Sequence, residues 1–551
     1  MTTQRSSARA LRPSLPSVAV MSQFPEEADV IFVGAGHNAL VAASFLLDAG
    51  RSVCLIDQMS EPGGWVRTTE LGAPGYLHDR WSALHPGFVS GPAWAELGPH
   101  LQRHGLEYIT APVAIGSSLP DGRAAVVPVD QSAFGEELER LKETEGWNRL
   151  FAETGPLLKP LLGLLGDGLD APDTRAAFTA LTEQSRQSAL PLGSLLTSSA
   201  ADLVRHYFAT EELHSLAAPW PLHLGASPED PASGFWAAFT LASLSAGTPT
   251  PVGGSGRLTD ALVGLVTERG GDIRTGTDVD EILVRDGRAG GVRTADGATI
   301  RATEAVVASA TPDQLYGRLL RNAPDVPAGV REQARNYRYR RGCFQLSLAL
   351  SARPHFRDGR LDAGGSINIG RGLDALVTSV RQAEAGLLPQ HPSIAWHEPT
   401  AVDPTRAPAG HAIARLQVLD APLRPSGDAA GTEFGADGWD ADTAEAFADR
   451  ILAEAEEHLP GLSSLVVERH LTTPADLAAQ SPNAGLGDHA AGSNALEQAF
   501  TQSPIPAHGG GYRTSVPGAW LIGAATWPAP GVNGSSGRAV ARALIGGADK
   551  D

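Results

Sequence analysis

The chain has 551 residues, of which 42% are hydrophobic, and its formal net charge is −19. This length suffices for about three domains or for two large interleaved ones. The acidic balance argues against a nucleic-acid partner and against electrostatic docking on anionic lipid, because both need clustered Lys and Arg. The only two cysteines, Cys54 and Cys343, exclude a disulfide framework and a cysteine-rich metal site, so we predict a reducing compartment and no metal.

The first 28 residues form a distinct segment with Arg5, Arg9 and Arg12 and no acid before Glu26. This composition is similar to that of a targeting segment, and a disordered extension preceding a start at Met21 is the alternative. No stretch approaches the roughly 20 consecutive apolar residues of a membrane-spanning helix. We expect a cytoplasmic protein, and the sequence leaves open peripheral contact with a membrane and an oligomeric state.

Residues 29–57 have the pattern of a nucleotide-binding βαβ unit. Asp29–Val33 predicts a strand, Asn38–Ala49 an apolar helix and Val53–Ile56 a second buried strand. The connection Gly34-Ala-Gly36-His-Asn-Ala39 matches GxGxxA, in which the glycines make a tight turn and let a diphosphate approach the backbone at the helix N-terminus.

An acid stands where the second strand of this unit ends. Asp57 lies 23 residues after Gly34, the position from which a carboxylate accepts hydrogen bonds from ribose hydroxyls. It would repel a 2′-phosphate, so the motif predicts FAD or NAD rather than NADP.

A second glycine segment favours FAD over NAD. Pro62-Gly-Gly64-Trp-Val-Arg67-Thr68 follows the second strand, where many FAD-binding folds place GGxxx[ST] against the cofactor's phosphates. The alternative is an ordinary glycine turn in which Arg67 is solvated or paired with Glu61 or Glu70.

The middle of the chain contains a further α/β segment between Gly253 and Pro312. It predicts a helix at Leu258–Arg269, turns at Asp286-Gly287 and Asp296-Gly297, and a strand around Ala305–Ala308. This segment therefore looks like a hairpin layer that returns to the sheet.

Other stretches read as loops or as chance matches. Ala111–Asp121 and His391–Gly410 are rich in Pro, Gly and Asp and predict loops. A second GxGxxA occurs at Gly370–Ala375 after the apolar Ser366–Ile369, but Ser393 stands where an acid is expected. We interpret this second match as coincidental.

The last motif is a glycine-rich turn between a strand and a helix. The apolar run 518–523 enters the turn, and Ala539–Ile545 predicts the helix. Such a turn presents backbone N–H groups and a positive helix end, which suit the pyrimidine side of a flavin.

Taken together these motifs resemble the carotenoid and retinoid oxidoreductases, which are phytoene desaturase-like flavoproteins. The resemblance extends over nearly all of the chain from Asp29, including Gly485–Phe500 and Gly511–Thr514, and is closest to the pyridine-nucleotide-disulfide-oxidoreductase-domain-2-like branch. It implies an α/β fold with a Rossmann-like FAD-binding domain of the GR2 type interleaved with an α+β substrate-binding domain. The FAD-binding domain would comprise residues 29–96, 250–312 and 512–547, and the substrate-binding domain residues 97–249 and 313–511.

The motifs and the resemblance together define an expected FAD site. In it, His37 faces phosphate or caps a helix, and the resemblance implies a backbone contact at Val279. The expected cofactor-binding residues are Gly34, Gly36, His37, Asn38, Ala39, Asp57, Gly63, Gly64, Arg67, Val279, Gly523, Gly531, Val532 and Asn533.

The sequence departs from the phytoene desaturase pattern in three places. The acid is Asp57 where Glu is usual, Trp65 stands where an arginine commonly follows the two glycines, and Trp527 enters the final turn. Bulk at Trp527 would lie near the flavin, so we expect a substrate smaller than, or shaped differently from, a long polyene.

Two pairs of residues are candidates for proton handling. His78 and Asp79 follow the second glycine segment, and Asp488 and His489 lie within the Gly485–Phe500 segment. Each pair could equally be a structural hydrogen-bonding pair.

The predicted activity is FAD-dependent dehydrogenation or desaturation of a small apolar substrate, carotenoid- or terpene-like, by hydride transfer to flavin. Electrons would pass to a quinone, an electron carrier or oxygen. An amine-oxidase-like flavoenzyme and a non-catalytic, flavin-stabilised interaction protein are the alternatives. Disulfide reductase chemistry is excluded because no CxxC occurs.

Overall fold

The computed structural model describes residues 24–164, 168–169, 172–185, 192–432, 438–528 and 530–547. Most of the predicted N-terminal segment, residues 1–23, lies outside these ranges. The helices are α1 His37–Asp48, α2 Pro86–Val89, α3 Pro92–Arg103, α4 Gln131–Leu141, α5 Thr144–Leu164, α6 Pro172–Ser185, α7 Leu192–Thr197, α8 Ala200–Tyr207, α9 Glu211–Ala217, α10 Ser233–Leu244, α11 Gly256–Glu268, α12 Pro312–Gln314, α13 Ala328–Arg335, α14 Leu373–Glu384, α15 Ala441–His458, α16 Leu462–Leu465, α17 Pro474–Gln480 and α18 Ser535–Ile545.

The strands form two seven-stranded sheets and three small two-stranded ones. They are β1 Glu27–Val33, β2 Val53–Ile56, β3 Thr68–Glu70, β4 Leu77–Asp79, β5 Tyr108–Thr110, β6 Val113–Ser118, β7 Ala124–Pro128, β8 Pro249–Pro251, β9 Asp272–Arg274, β10 Val279–Arg285, β11 Arg288–Thr294, β12 Thr299–Ser309, β13 Gly342–Leu350, β14 Ser366–Ile369, β15 Leu387–Leu388, β16 Ile394–His397, β17 Ala412–Ala421, β18 Gly427–Asp428, β19 Val466–Thr472 and β20 Ala519–Ile522.

The first sheet has a parallel centre in the order β9, β2, β1, β12, β20, and the antiparallel hairpin β10–β11 is added beside the start of β12. Side chains alternate between its two faces, as the strand period of two requires. Val30 and Phe32 pack with α1, α11 and α18, while Ile31 and Val33 pack with residues 315–334. Both faces are buried, which explains why these strands are continuous apolar runs.

The second sheet has the order β19, β13, β17, β16, β14, β6, β7 and is antiparallel except where β14 pairs with β6. Its outer face is apolar: Phe344 and Leu346 of β13 pack against Phe447 and Ile451 of α15. Its inner face carries polar side chains, namely Gln345 and Ser347 of β13, His397 of β16, and Arg415 and Gln417 of β17.

Most predicted elements occur close to their expected bounds, and the α/β fold class is confirmed. β2 coincides with the predicted strand, and Asp286 and Gly287 both have positive φ in the turn between β10 and β11. The strands of the first sheet fall almost entirely within the three segments assigned to the FAD-binding domain. The division into two domains itself stays a prediction.

Two loop predictions were wrong in part. Ala111–Asp121 contains β6, and His391–Gly410 contains β16. In both segments pairing with neighbouring strands supplies the backbone hydrogen bonds, so the sheet overrides the local abundance of Pro, Gly and Asp.

Among the residues described, no helix has both the length and the apolar character needed to cross a membrane.

Candidate functional site

An elongated groove runs along the carboxyl ends of the parallel strands of the first sheet. It consists of two adjoining cavities of about 850 and 600 Å³. Asp57 and Val279 line the first cavity, and the turn that follows β20 lines the second. Gly36, Trp65 and Ser309 line both cavities, so the two form one continuous groove.

Two glycine segments form the floor where the cavities meet. Gly34 has φ +101° and Gly63 has φ +103°, a region that strongly favours glycine. The Gly63 N–H donates to the Ala35 carbonyl at 2.8 Å, and a Cβ on Gly64 would lie 3.4 Å from the Gly36 Cα. The absence of side chains leaves bare backbone at the N-terminus of α1, which is suited to a diphosphate.

Asp57 fixes the turn and faces the groove. Its Oδ2 accepts the Ala35 N–H at 2.7 Å and its Oδ1 accepts the Met59 N–H at 2.8 Å. Each carboxylate oxygen can accept a second hydrogen bond, so the group can also receive ribose hydroxyls.

Arg67 provides a buried cation with unused donor capacity. Its side chain is almost fully buried, Nε donates to the Pro62 carbonyl at 3.1 Å, and NH2 has no partner in the part of the chain described. Burial lowers the pKa of Arg67. Glu61 is 3.8 Å away and mostly exposed, so it compensates the charge only weakly. A buried unsatisfied N–H is costly, and a phosphate oxygen would satisfy it.

Several groove residues were missed by sequence reasoning. Ser309 ends β12, and the rule that ligands bind at the carboxyl ends of parallel strands would have found it. Arg318 donates to Asp278 at 3.1 Å and to the Val279 carbonyl at 2.8 Å, but no motif marks it. Nothing in the sequence marks Arg80, Trp81 or Gln480–Asn483 as groove residues either.

The bare glycine floor, the Asp57 carboxylate and the unsatisfied Arg67 fit FAD. The family model described as flavin containing amine oxidoreductase matches residues 40–380. The chain belongs to this family. FAD as cofactor, the oxidoreductase class and the resemblance to phytoene desaturase-like flavoenzymes are thereby confirmed.

Relatives extend over nearly the whole chain at low identity. Pyridine nucleotide-disulfide oxidoreductase domain-containing protein 2 of Mus musculus is 26% identical and the match covers 94% of this chain and 93% of that protein. A limonene dehydrogenase subunit of Castellaniella defragrans is 23% identical, covering 91% and 92%. Phytoene desaturase (neurosporene-forming) of Rhodobacter capsulatus is 26% identical, covering 91% and 90%.

Solved structures support the fold. An oxidoreductase from Methanosarcina mazei aligns with a TM-score of 0.58 at 16% identity, covering 94% of this chain and 99% of that one. Putrescine oxidase bound to putrescine aligns with a TM-score of 0.56 at 14% identity, with the same coverage.

The groove of this flavoenzyme includes many of the predicted cofactor residues and leaves out others. Those that line it are Gly34, Gly36, His37, Asn38, Asp57, Gly63, Gly64, Arg67, Val279 and Gly523. Burial lowers the pKa of His37 to about 4, so its imidazole is neutral at pH 7. Ala39 is fully buried and lets α1 pack closely on the sheet.

The later part of the final turn lies away from the groove. Gly531, Val532 and Asn533 are not among the lining residues, and Val532 and Asn533 pack against Gly87 of α2. The Asn533 Oδ1 accepts the Ser535 N–H at 2.9 Å at the start of α18. Asn533 therefore orients the turn, and Gly523–Ala525 are the part of the turn that lines the groove.

The first candidate catalytic pair belongs to a buried network beside the groove and not to its lining. Asp79 accepts from Thr68 Oγ1 and from the Ser255 N–H, both at 2.7 Å, and pairs with Arg406 at 3.1 Å. Burial lowers the pKa of His78 to about 4. This geometry fits the structural alternative for the pair.

The second candidate pair also lies outside the lining. Asp488 accepts the backbone N–H groups of Arg340 and Ala490 at 3.0 and 2.8 Å. His489 contacts the Leu222 carbonyl through Nε2 at 3.1 Å, and its Nδ1 is buried with no partner in the described residues. Asp488 is thus engaged by backbone, whereas His489 retains one free ring nitrogen.

Trp527, the large aromatic residue that was predicted to lie near the flavin, is not among the residues that line the groove. Trp527 is buried and packs against Phe500 with 6.0 Å between ring centroids. Trp65 and Trp81 line the groove instead, with their centroids 6.3 Å apart. Trp527 belongs to a buried cluster that also contains Trp81, and its place near the flavin stays a prediction.

The second GxGxxA connects a strand to a helix, from β14 to α14, and the following strand β16 pairs antiparallel with β14. Glu211 nevertheless occupies the helix start: its Oε2 accepts the Leu373 N–H at 3.0 Å, and a Cβ on Gly372 would lie 2.7 Å from it. A protein carboxylate already stands where a phosphate would bind, which agrees with the interpretation that the match is coincidental.

Proposed function

We propose that this flavoenzyme is a dehydrogenase or desaturase that oxidises C–H bonds of an apolar isoprenoid or alicyclic substrate. The carrying observation is the part of the second cavity that the predicted cofactor residues, Gly36–Asn38, Gly63, Gly64 and Gly523, do not line. Among the described residues that line it there is no Asp, Glu, Lys or Arg, whereas Trp65, Ala491, Ile522, Ala524 and Ala525 contribute apolar surface. The names limonene dehydrogenase and phytoene desaturase among the relatives also support this substrate class.

The chain's own residues supply placement. Asp57 would hold the ribose, Arg67 the diphosphate, and the bare glycine backbone would let the diphosphate approach. Bound FAD supplies a two-electron acceptor. Reduction of the bound cofactor would take up both the hydride and the proton that leave adjacent carbons of the substrate as the C=C bond forms, and apolar walls would exclude water from these carbons.

Anaerobic reduction of the FAD-loaded protein tests the proposal. Terpenes, carotenoids, cyclic ketones and amines are each mixed with the protein under anaerobic conditions, and loss of the oxidised-flavin absorbance is followed by product mass. We expect reduction by an apolar hydrocarbon skeleton with a product lighter by two hydrogens. Reduction by amines alone, with peroxide released in air, would favour the amine-oxidase-like alternative.

A pair of tryptophan variants controls for the site. Trp65→Ala should raise KM for the reducing compound and leave the flavin content unchanged, because Trp65 lines both cavities. Trp94→Ala is the matched control, since Trp94 packs against Phe88 and Tyr108 away from the groove. Equal effects of the two variants would argue against a substrate site at Trp65.

A further inference from the structure

Arg415 on the inner face of the second sheet is a guanidinium without an acidic partner. Its NH1 donates to the Trp81 carbonyl, and this is its only hydrogen bond to the residues described. Its Nε is buried with no partner. The acid whose charge acts on it, Asp79, is already paired with Arg406 at 3.1 Å. Burial lowers the pKa of Arg415, as expected for a cation removed from water.

His397 is the cross-strand partner of Arg415, and two further imidazoles lie near this guanidinium. His223 belongs to the 3₁₀ turn Trp220–Leu224, which packs against β17, and its ring makes no hydrogen bond within the described ranges. Burial lowers its pKa to about 3, and the charges of His489 and Arg415 act in the same direction. His489 has its Nδ1 buried without a partner. Three basic side chains with unused ring or guanidinium nitrogens are therefore gathered in one place.

This basic cluster, Arg415, His223 and His489, adjoins the wall of the groove. Arg415 contacts the backbone of Trp81, whose side chain lines the first cavity. Ala491, two residues after His489, lines the second cavity. The cluster therefore adjoins residues that line both cavities, and its three side chains are only partly buried.

A buried guanidinium nitrogen without a partner is costly, and a ligand that supplies the missing acceptor would remove this cost. A carboxylate matches the available groups, because its two oxygens accept side by side from Nε and NH2 of a guanidinium. The imidazoles can add one donor each. None of the acids placed near the cluster fills this role, since Asp79 and Asp488 are both engaged elsewhere.

We propose that Arg415, assisted by His223 and His489, receives the carboxylate of the substrate, so that the enzyme acts on an apolar acid with an isoprenoid or alicyclic body. This inference rests on the proposed function for the reaction. It adds that the substrate has a carboxylate at one end. The hydrocarbon body lies in the part of the second cavity that Trp65, Ala491 and Ala525 line, beside the predicted cofactor residues, and the basic cluster takes the acid.

Calorimetric titration of the FAD-loaded protein measures this recognition directly. The probes are geranate and cyclohexanecarboxylate, each compared with its matched alcohol, geraniol or cyclohexylmethanol. Arg415→Gln keeps an amide donor for the Trp81 carbonyl and removes the charge, and Arg415→Lys keeps the charge. Arg381→Gln is the matched control, because Arg381 is exposed and pairs with Glu229 at the surface.

We expect the carboxylates to bind more tightly than the alcohols. Arg415→Gln should weaken carboxylate binding on the order of 100-fold while alcohol binding changes little, and Arg415→Lys should recover part of the loss. The control should bind like the unmodified protein. Equal losses for acids and alcohols, unchanged carboxylate affinity, or tighter binding of geranyl phosphate than of geranate would each overturn the proposal.

A second variant keeps the test decisive if the Arg415 variants do not fold, which flavin absorbance and thermal unfolding would show. His489→Gln preserves an amide able to reach the Leu222 carbonyl, and it should still weaken carboxylate binding selectively. Unchanged carboxylate affinity in His489→Gln would overturn the proposal. Selective carboxylate binding without any flavin reduction would contradict only the proposed function. Flavin reduction by hydrocarbons without carboxylate binding would contradict only this inference.

Discussion

The groove of the first sheet and the inner face of the second sheet are built in different ways. The groove is mainly backbone: Gly34, Gly36 and Gly63 remove side chains so that a ligand can approach. The inner face is mainly side chain, with Arg406 paired to Asp79 deep in the protein. Backbone sites come from short contiguous motifs, whereas side-chain sites come from strands distant in sequence, and this difference decides which of them a sequence reveals.

The two regions should also respond differently to substitution. Changes in the groove should cost ligand affinity, because the floor holds few side chains that the fold needs. Changes in the buried network should cost stability, because its charged groups depend on each other in the absence of water.

The largest effect is expected at the Arg406–Asp79 pair. Arg406→Met leaves the Asp79 carboxylate buried without its cation, so the free energy of unfolding should fall by about 3–5 kcal/mol. Urea denaturation followed by circular dichroism measures this fall. Adding Asp79→Leu should restore part of the loss, and a loss below about 1 kcal/mol for Arg406→Met alone would show that the pair is not a stabilising unit.

The groove should show the opposite behaviour. Gly36 has an ordinary φ of −67°, and its Cβ would have only Ser309 Oγ near it, at 3.9 Å. Gly36→Val should therefore fold, yet fill the diphosphate space and weaken FAD binding by roughly 100-fold, about 2.7 kcal/mol. Fluorescence titration of the apoprotein with FAD measures the affinity. Gly329→Val in α13 is the control, since nothing lies within 4 Å of its Cβ.

A smaller, pH-dependent effect is expected from His85 in the buried network. Its ring nitrogens contact Tyr108 OH at 3.0 Å and Ser255 Oγ at 2.9 Å, and burial lowers its pKa from 6.5 to about 3. Below pH 6.5 the unfolded chain binds a proton that the folded chain does not, so stability is complete above that pH and falls as the pH drops. The slope from this group should approach about 1.4 kcal/mol per pH unit.

Urea unfolding at several pH values between 6.5 and about 4 tests the His85 prediction. His85→Gln should be less stable at neutral pH and should show a shallower loss of stability on acidification. An identical slope in the variant would mean that His85 does not titrate in this way.

The smallest effect is expected at the surface. Arg381 pairs with Glu229 at 2.6 Å, but both side chains are largely exposed and hydrated. Arg381→Met should change the free energy of unfolding by less than about 0.5 kcal/mol. A larger loss, measured in the same urea series, would remove the contrast between buried and exposed ion pairs.

The contrast between the two regions explains what the sequence predicted. GAGHNA, the second glycine segment and Asp57 are local motifs whose geometry follows from their own sequence, so the βαβ unit and many residues that line the groove could be predicted. The pairing of Arg406 with Asp79 depends on how two parts of the fold meet, and no local pattern encodes it. The packing of Trp527 against Phe500 is likewise a tertiary contact that neither segment encodes by itself.

Strand β20 bears on the order in which the protein can be made. It pairs with β12 and is the last strand of the first sheet in the chain, and the residues that follow it, Gly523–Ala525, line the groove. A nascent chain on the ribosome that still lacks these residues has a groove open on one side, even if β1, β2 and β12 have already assembled. Stable cofactor capture therefore has to wait until Gly523–Ala525 have been synthesised and β20 has paired with β12.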